Sequence, residues 1–231
     1  MLGALNPKAQ VRLQHLGHER QPMLVIDDLL LDPGAMVEAA AAAAWGPPDG
    51  TWYPGLNAAL PAAYLDNLLR QLRPSFGRAF GYAPQTDLSL HGFFALATWT
   101  PAQFGPWQRI PHYDQPFPGH LAMVHYLSET QSGGTGFFRH RPTGYESIDP
   151  VRREAYLAET TAWLATEPEG LTGFAGQDTP RYEMYDHVAF RFNRAVIYPS
   201  HVLHCALFDG ATLSSDPRTG RLTANSFFAP G

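Results

Sequence analysis

The sequence predicts a mainly β fold with flanking helices, an α+β chain built as an antiparallel jelly roll, and three observations carry that reading. Two stretches with helical character lie in the first third. From Leu88 onward, short runs rich in β-branched and aromatic residues are separated by turn residues. No repeat or low-complexity segment interrupts them.

Taken in order, residues 1–21 show no clear period and read as a loosely docked arm. Met23–Ile26 is a short apolar run, expected as a strand. Asp32-Pro33 supplies an N-cap and an N1 proline, so the alanine-rich stretch to Trp45 is a helix stopped by Gly46-Pro47-Pro48. A second helix begins at Pro61 and runs to about Arg73, with leucines and a tyrosine at helical spacing. Strands are expected at Leu88–Trp99, Leu121–Leu127, Thr135–Arg139, His187–Phe192, Ala195–Tyr198, Leu203–Leu207 and Arg221–Phe228. Phe192-Asn193-Arg194-Ala195 reads as a hairpin turn. Residues 140–186 break the strand pattern; Pro150–Ala165 is a helix inside a long insertion whose aromatics argue for ordered packing. A lid over a site is the preferred reading, and a dimer interface the alternative.

The length of 231 residues fits a single domain: residues 1–87 as arm and supporting helices, and residues 88–231 as the β core carrying the insertion at 140–186. Charged residues make up 16% and the net charge is −5, with no basic cluster, which argues against a nucleic-acid partner. Cys205 is the single cysteine, so no intrachain disulfide can form, as suits a reducing cytoplasm. The N-terminus lacks a signal-peptide apolar run, and no segment reaches membrane-span length. The expectation is a cytoplasmic protein acting on a small molecule or peptide, with a homodimer left open.

His112 and Asp114 are two apart, so in extended backbone their side chains leave on one side. An imidazole and a carboxylate there ask for a third ligand from a distant strand, and His204 is the candidate. Two imidazoles and one carboxylate on one face suit non-haem Fe(II), which keeps its opposite positions open. Taken alone, the triplet is a common loop pattern in which His112 binds backbone and Asp114 caps a turn. His201 competes with His204, but it belongs to the Pro-Ser turn, whereas His204 opens the Leu203–Leu207 run.

Arg221 lies seventeen residues beyond His204, with Thr223 and Asn225 alternating onto its face. An inward arginine is costly unless an anion meets it, and its planar fork suits a carboxylate. A structural ion pair is the competing explanation. Thr223 and Tyr126 are candidate hydroxyl donors to the same carboxylate, with Tyr126 otherwise a core aromatic. Gly133-Gly134-Thr135-Gly136 lacks the lysine and helix of a phosphate loop and reads as a tight turn with positive φ. Cys205 points away from the face of His204 and reads as a small buried apolar residue. Arg139 and Arg141, at the root of the insertion, are read first as solvated surface charges and second as substrate contacts. A Gly-x-Ser-x-Gly elbow is missing, so a hydrolase triad has no support.

The series His112-Tyr113-Asp114, Tyr126-Leu127, Gly133-Gly134-x-x-Phe137, Pro199-Ser200-x-x-x-His204 and Gly220-Arg221-x-Thr223 resembles the Fe(II)/2-oxoglutarate-dependent dioxygenases, closest to their prolyl-hydroxylase-like branch. The similarity spans about residues 88–228. It implies a double-stranded β-helix of the jelly-roll, cupin-like kind. His112, Asp114 and His204 would bind Fe(II); Arg221, with Tyr126 and Thr223, would hold the distal carboxylate of 2-oxoglutarate. It further implies an oxygenase that uses O2 and 2-oxoglutarate to hydroxylate a C–H bond of an amino-acid, peptide or small-metabolite substrate, releasing succinate and CO2. Asp114 stands where iron halogenases of this class need a vacancy, which favours hydroxylation. The long insertion and the extra Asp209–Pro217 stretch both depart from the branch, so prolyl hydroxylation does not carry over. A cupin-like dioxygenase that does not use 2-oxoglutarate, and a non-catalytic binding module on the same fold, are the alternatives.

Overall fold

The computed structural model describes residues 2–48, 53–129, 133–177, 179–208, 210–211 and 213–231. Asp209 and Thr212, both in the extra stretch before Arg221, lie outside them. The chain is mostly antiparallel β with few helices. No described helix is long and apolar enough to cross a membrane.

Strand β1 (Gln10–Leu16) pairs with β2 (Gln21–Asp27) in antiparallel register, Gln10 opposite Asp27. Residues 1–21 are therefore not a loosely docked arm. β1 is an edge strand exposed at every position but Leu16, so it shows no inward hydrophobic period to read. Buried Asp27 anchors the hairpin, accepting from Arg12 at 2.7 Å and from Arg194 Nε at 2.5 Å.

Helix α1 (Pro33–Ala41) starts as expected, with Asp32 accepting from the Ala35 amide at 3.0 Å. It stops well short of Trp45. The Gly46 and Asn57 backbones exchange two hydrogen bonds (3.0 and 2.9 Å), and this non-local pairing overrides the alanine propensity. Asn57 belongs to β3 (Gly55–Ala59), a strand the sequence pattern did not reveal. Helix α2 (Ala62–Phe80) continues past Arg73 and through Pro74, to end at Gly81 in the left-handed region. Tyr64, Leu68, Leu72 and Phe76 form a buried stripe, and Phe76 meets Phe228 edge-on with ring centres 4.8 Å apart. That packing outweighs the hydrogen bond lost at the proline.

The remaining strands are β4 (Leu88–Ala97), β5 (Leu121–Tyr126), β6 (Gly134–His140), β7 (Tyr182–Ala189), β8 (Ala195–Pro199), β9 (His204–Leu207) and β10 (Arg221–Pro230). β7 starts and ends earlier than the expected His187–Phe192 run. Between β6 and β7 lies α3 (Pro150–Leu164), capped by Asp149 accepting from the Arg152 amide at 2.9 Å. Two sheets result: a seven-stranded sheet ordered β1-β2-β8-β5-β10-β4-β3 and a three-stranded sheet ordered β7-β6-β9. The N-terminal third is thus more than arm and supporting helices, since β1, β2 and β3 complete the large sheet.

Asn193, at φ 60°, makes the turn between β7 and β8, but those strands belong to different sheets, so it is a crossover rather than a hairpin. Its side chain bonds both backbone groups of Leu30 at 3.0 Å and meets His125 Nε2 at 3.2 Å. Holding those partners selects the crossover over local strand pairing. α1 and α2 pack on one face of the large sheet through Leu24, Ile197, Leu222 and Ala224. The small sheet packs on the opposite face, where Phe137 and Val188 meet Val25, Ala122, Tyr126 and Val196. α3 covers the far side of the small sheet through Tyr156, Leu164 and Phe138.

Candidate metal and anion site

His204 opens β9, and its backbone exchanges hydrogen bonds of 2.8 and 2.9 Å with His112, so the 110–115 segment lies along the free edge of the small sheet. The Asp114 amide donates to the Ser200 carbonyl at 2.9 Å. These bonds bring three distant side chains together: ligand atoms of His112, Asp114 and His204 all lie within 4.8 Å of one another. His112 Nε2 is 3.8 Å from one Asp114 oxygen, and His204 Nε2 is 3.6 Å from the other. His204 Nδ1 sits 2.9 Å from the Val202 carbonyl, which fixes the proton there and leaves the Nε2 lone pair facing the cluster.

The His112 ring is more than half open to the cavity, yet protein walls the cavity itself. Burial lowers His112 to about 4, with His204 adding to the effect and Asp114 opposing it. Burial likewise lowers His204 to about 4, and it raises Asp114 to about 6 against the pull of His112. Both shifts run toward the neutral imidazole that metal ligation requires. Asp114 Oδ2 is buried without a hydrogen-bond partner. The His204 lone pair, the neighbouring His112 ring and an orphaned carboxylate oxygen fit a divalent cation. His201 is buried but lies outside the cluster that holds His204.

One cavity of about 840 Å³ contains this cluster and also reaches Arg221. Arg221 is 2% exposed, donates to the Gly134 carbonyl at 3.0 Å, and keeps Nε buried without a partner. Phe190 and Phe208 flank its guanidinium at 5.3 and 4.9 Å. No carboxylate among the described residues lies within ion-pair distance of it. Gly134 makes the close approach of β7 to β6 possible: at φ 144° a Cβ there would fall 2.0 Å from the Val188 carbonyl oxygen. Gly133 (φ 82°) and Gly134 thus form the expected positive-φ turn.

Thr223 lines the cavity beside Arg221 as expected, but Tyr126 does not reach the cavity wall. Its hydroxyl is 2.7 Å from Thr135 Oγ1, and its ring stacks on Phe190 at 4.4 Å. Tyr126 thus supports Thr135, which does line the cavity.

Two further hydroxyls left no signal in the sequence. Tyr53 sits against Arg221 and Thr223; burial raises its pKa while both neighbours oppose the rise. Tyr198 lines the cavity with its hydroxyl buried and unpartnered, and its ring meets that of His204 at 4.8 Å. Burial pushes Tyr198 well up, reinforced by Asp114. Tyr198 directly precedes the Pro199-Ser200 motif, but only its place opposite Ala122 in β5 aims it at the cluster.

Cys205 is buried among Ile110, Phe138 and Leu203 as expected, and it also borders the cavity. Arg139 is not a solvated surface charge. It pairs with Glu146 and, at 2.8 Å, with Glu183, while Arg141 donates to the Tyr182 carbonyl at 3.3 Å. Neither arginine lines the cavity. The insertion does so through Tyr156, Leu157, Phe174 and Ala175. Arg109 ties it to the preceding turns, bonding the Thr172 carbonyl at 2.5 Å and the Pro101 carbonyl at 2.9 Å.

Fold and site together define a mostly antiparallel β protein with a two-histidine, one-carboxylate cluster suited to a metal. The chain belongs to the family described as "Family of unknown function (DUF6445)", whose profile matches residues 7–228. No curated protein sequence matches it. Similar solved structures include the non-heme alpha ketoglutarate dependent epimerase SnoN from nogalamycin biosynthesis, at 14% identity and TM-score 0.45, covering 92% of this chain and 80% of that one. HygX from Streptomyces hygroscopicus with nickel and 2-oxoglutarate bound is 18% identical at TM-score 0.45, covering 93% of this chain and 87% of that one. The iron-bound form of HygX is 16% identical at TM-score 0.45, covering 94% and 87%.

Proposed function

We propose that this protein is a non-haem Fe(II)/2-oxoglutarate-dependent oxygenase on a double-stranded β-helix, hydroxylating a C–H bond of an organic substrate with formation of succinate and CO2. One observation carries the reading: a His-Asp-His cluster and a buried arginine with no acidic partner among the described residues open onto the same cavity. Either feature alone has a structural explanation; together they supply a cation site and an anion site for one chelating dicarboxylate.

Iron with 2-oxoglutarate and O2 supplies the oxidising chemistry when bound. His112, Asp114 and His204 hold the metal. Arg221 receives the distal carboxylate, with Thr223 and Tyr53 beside it, and Tyr126 orients Thr135 at the same end. The phenylalanines flanking Arg221 exclude water and strengthen the charge-assisted pair. By motif the chain stands nearest the prolyl-hydroxylase-like branch, while its insertion wall separates its substrate from that of the branch.

Anaerobic titration with Fe(II), followed by 2-oxoglutarate, tests this. The expected result is stoichiometric iron binding and then a visible charge-transfer band from the chelate. Iron binding with no band would favour a metal-dependent dioxygenase that does not use 2-oxoglutarate. Failure to bind iron would favour a binding module.

A further inference from the structure

Much of the cavity lies away from both the cluster and the arginine. Along β10 the residues Arg221, Thr223, Asn225 and Phe227 all face it, while Leu222 and Ala224 face the helices. Beyond Asn225 this row turns aromatic. Register places Asn225 opposite Phe93 of β4 and Phe227 opposite His91. The His91 and Phe227 rings stack at 5.2 Å with planes 21° apart, and Phe93 lies 5.8 Å from Phe227. His91 is exposed, and Phe93 and Phe227 are only partly buried, so this stretch of the large sheet has open aromatic faces. Phe104, Trp107, Tyr156 and Phe174 contribute further rings to the cavity wall.

Among the described lining residues, Asp114 is the only acid and Arg221 the only arginine or lysine, and both are committed to the metal and the dicarboxylate. Beside the aromatic patch an uncharged polar atom is orphaned: Asn225 Oδ1, between Thr223 and Phe227 in the row, is buried with no hydrogen-bond partner. We infer that the His91–Phe93–Phe227 platform binds the organic substrate, and that this substrate is an uncharged, planar ring-bearing small molecule donating a hydrogen bond to Asn225. This deepens, and rests on, the oxygenase reading above. Ring faces reward a flat apolar partner, and an orphaned carbonyl oxygen rewards a hydroxyl or N–H. A zwitterionic amino acid or a charged side chain would lose its hydration there with no opposite charge to meet it. The volume suits a small molecule lying alongside the dicarboxylate.

Calorimetry on the full chain with Ni(II) and saturating 2-oxoglutarate tests the inference with three probes of one shape: 2-naphthol, 2-methoxynaphthalene without the donor, and 2-naphthoate with a charge. 2-Naphthol should bind at least tenfold more tightly than either of the others. Asn225→Leu should erase its advantage over 2-methoxynaphthalene, and Phe227→Ala should weaken both neutral probes at least fivefold. Should Phe227→Ala fail to fold, Phe93→Ala reads out the same platform. Equal or tighter binding of 2-naphthoate, or 2-naphthol binding unchanged in the platform variants, overturns the inference. The initial 2-oxoglutarate titration is a separate readout. If it fails while 2-naphthol binds with these preferences, the oxygenase reading falls and the neutral aromatic site stands.

Discussion

At the scale of single residues, His201 and His204 make a controlled comparison, since both are buried histidines three positions apart. Only His204 shares a cluster with His112 and Asp114. His204→Ala should abolish stoichiometric Fe(II) binding with the fold intact, and His201→Ala should retain it. Full iron occupancy in His204→Ala, read by metal analysis after desalting, would sink the ligand assignment. Arg221→Ala should weaken 2-oxoglutarate binding by about 3 kcal/mol, the scale of a desolvated charge-assisted pair, and leave iron affinity nearly unchanged. Unaltered 2-oxoglutarate affinity by calorimetry would remove Arg221 from the site. Arg221 stood out in the sequence because an arginine on a strand with alternating polar neighbours is anomalous. Tyr53 and Tyr198 did not, because tyrosines are ordinary core residues until their hydroxyls are seen to face a cavity.

The insertion between β6 and β7 is the element whose role matters most. α3 packs on the small sheet through Tyr156, whose hydroxyl lies 2.9 Å from that of Tyr182. Tyr156 and Phe174 then face the cavity, and Arg109 holds the 171–172 backbone against the preceding turns. On the proposed function, a wall so anchored would exclude water and shape the substrate space. Replacing residues 150–180 by a short linker, which spares β7 and the Ser147–Val202 pairing beside His204, should leave iron and 2-oxoglutarate binding nearly intact. Slow uncoupled succinate formation should persist while oxidation of the true substrate is lost. Dissociation of a dimer with unimpaired chemistry, seen by light scattering, would make the insertion an interface instead. The helix inside it was read from the sequence as Pro150–Ala165, one residue longer than the helix formed. Its coverage of the small sheet was not, because one helix face cannot name its partner.

Across the molecule, several histidines are buried uncharged, and they set the stability of the fold against acid. His125 is fully buried between the Tyr64 hydroxyl at 3.1 Å and Asn193 at 3.2 Å. Burial lowers its pKa to about 4, with the Asn193 bond opposing. Burial also lowers His140 to about 4, aided by Arg181. A pKa depressed in the folded state means the unfolded chain takes up the proton first. Stability from His125 is therefore complete above the ordinary value of 6.5, falls as pH drops toward about 4, and is flat below. The loss from His125 is roughly 3 kcal/mol at 1.36 kcal/mol per unit. Urea unfolding of chelated protein at a series of pH values should show this decline, with a shallower slope for His125→Gln. An unchanged slope would show that His125 is not held neutral.

The local and the periodic were written in the chain alone: the cap at Asp32, the helix from Pro150, the glycine turn at Gly133-Gly134, and most strands of the core. So were the residue types of a metal site, His112, Asp114 and His204, in a recognisable order. Tertiary structure decided what depends on neighbours distant in the chain. β1 pairs as an exposed edge with no inward period, α2 runs through Pro74 because Phe76 packs on Phe228, and the Asn193 turn crosses between sheets. Only the fold could set Tyr53 beside Arg221, turn the Tyr126 hydroxyl onto Thr135, and align Asn225 with an open aromatic face. Propensity and capping act over a few residues of chain, whereas a cavity is made by strand register and sheet packing, which join residues that no local pattern connects.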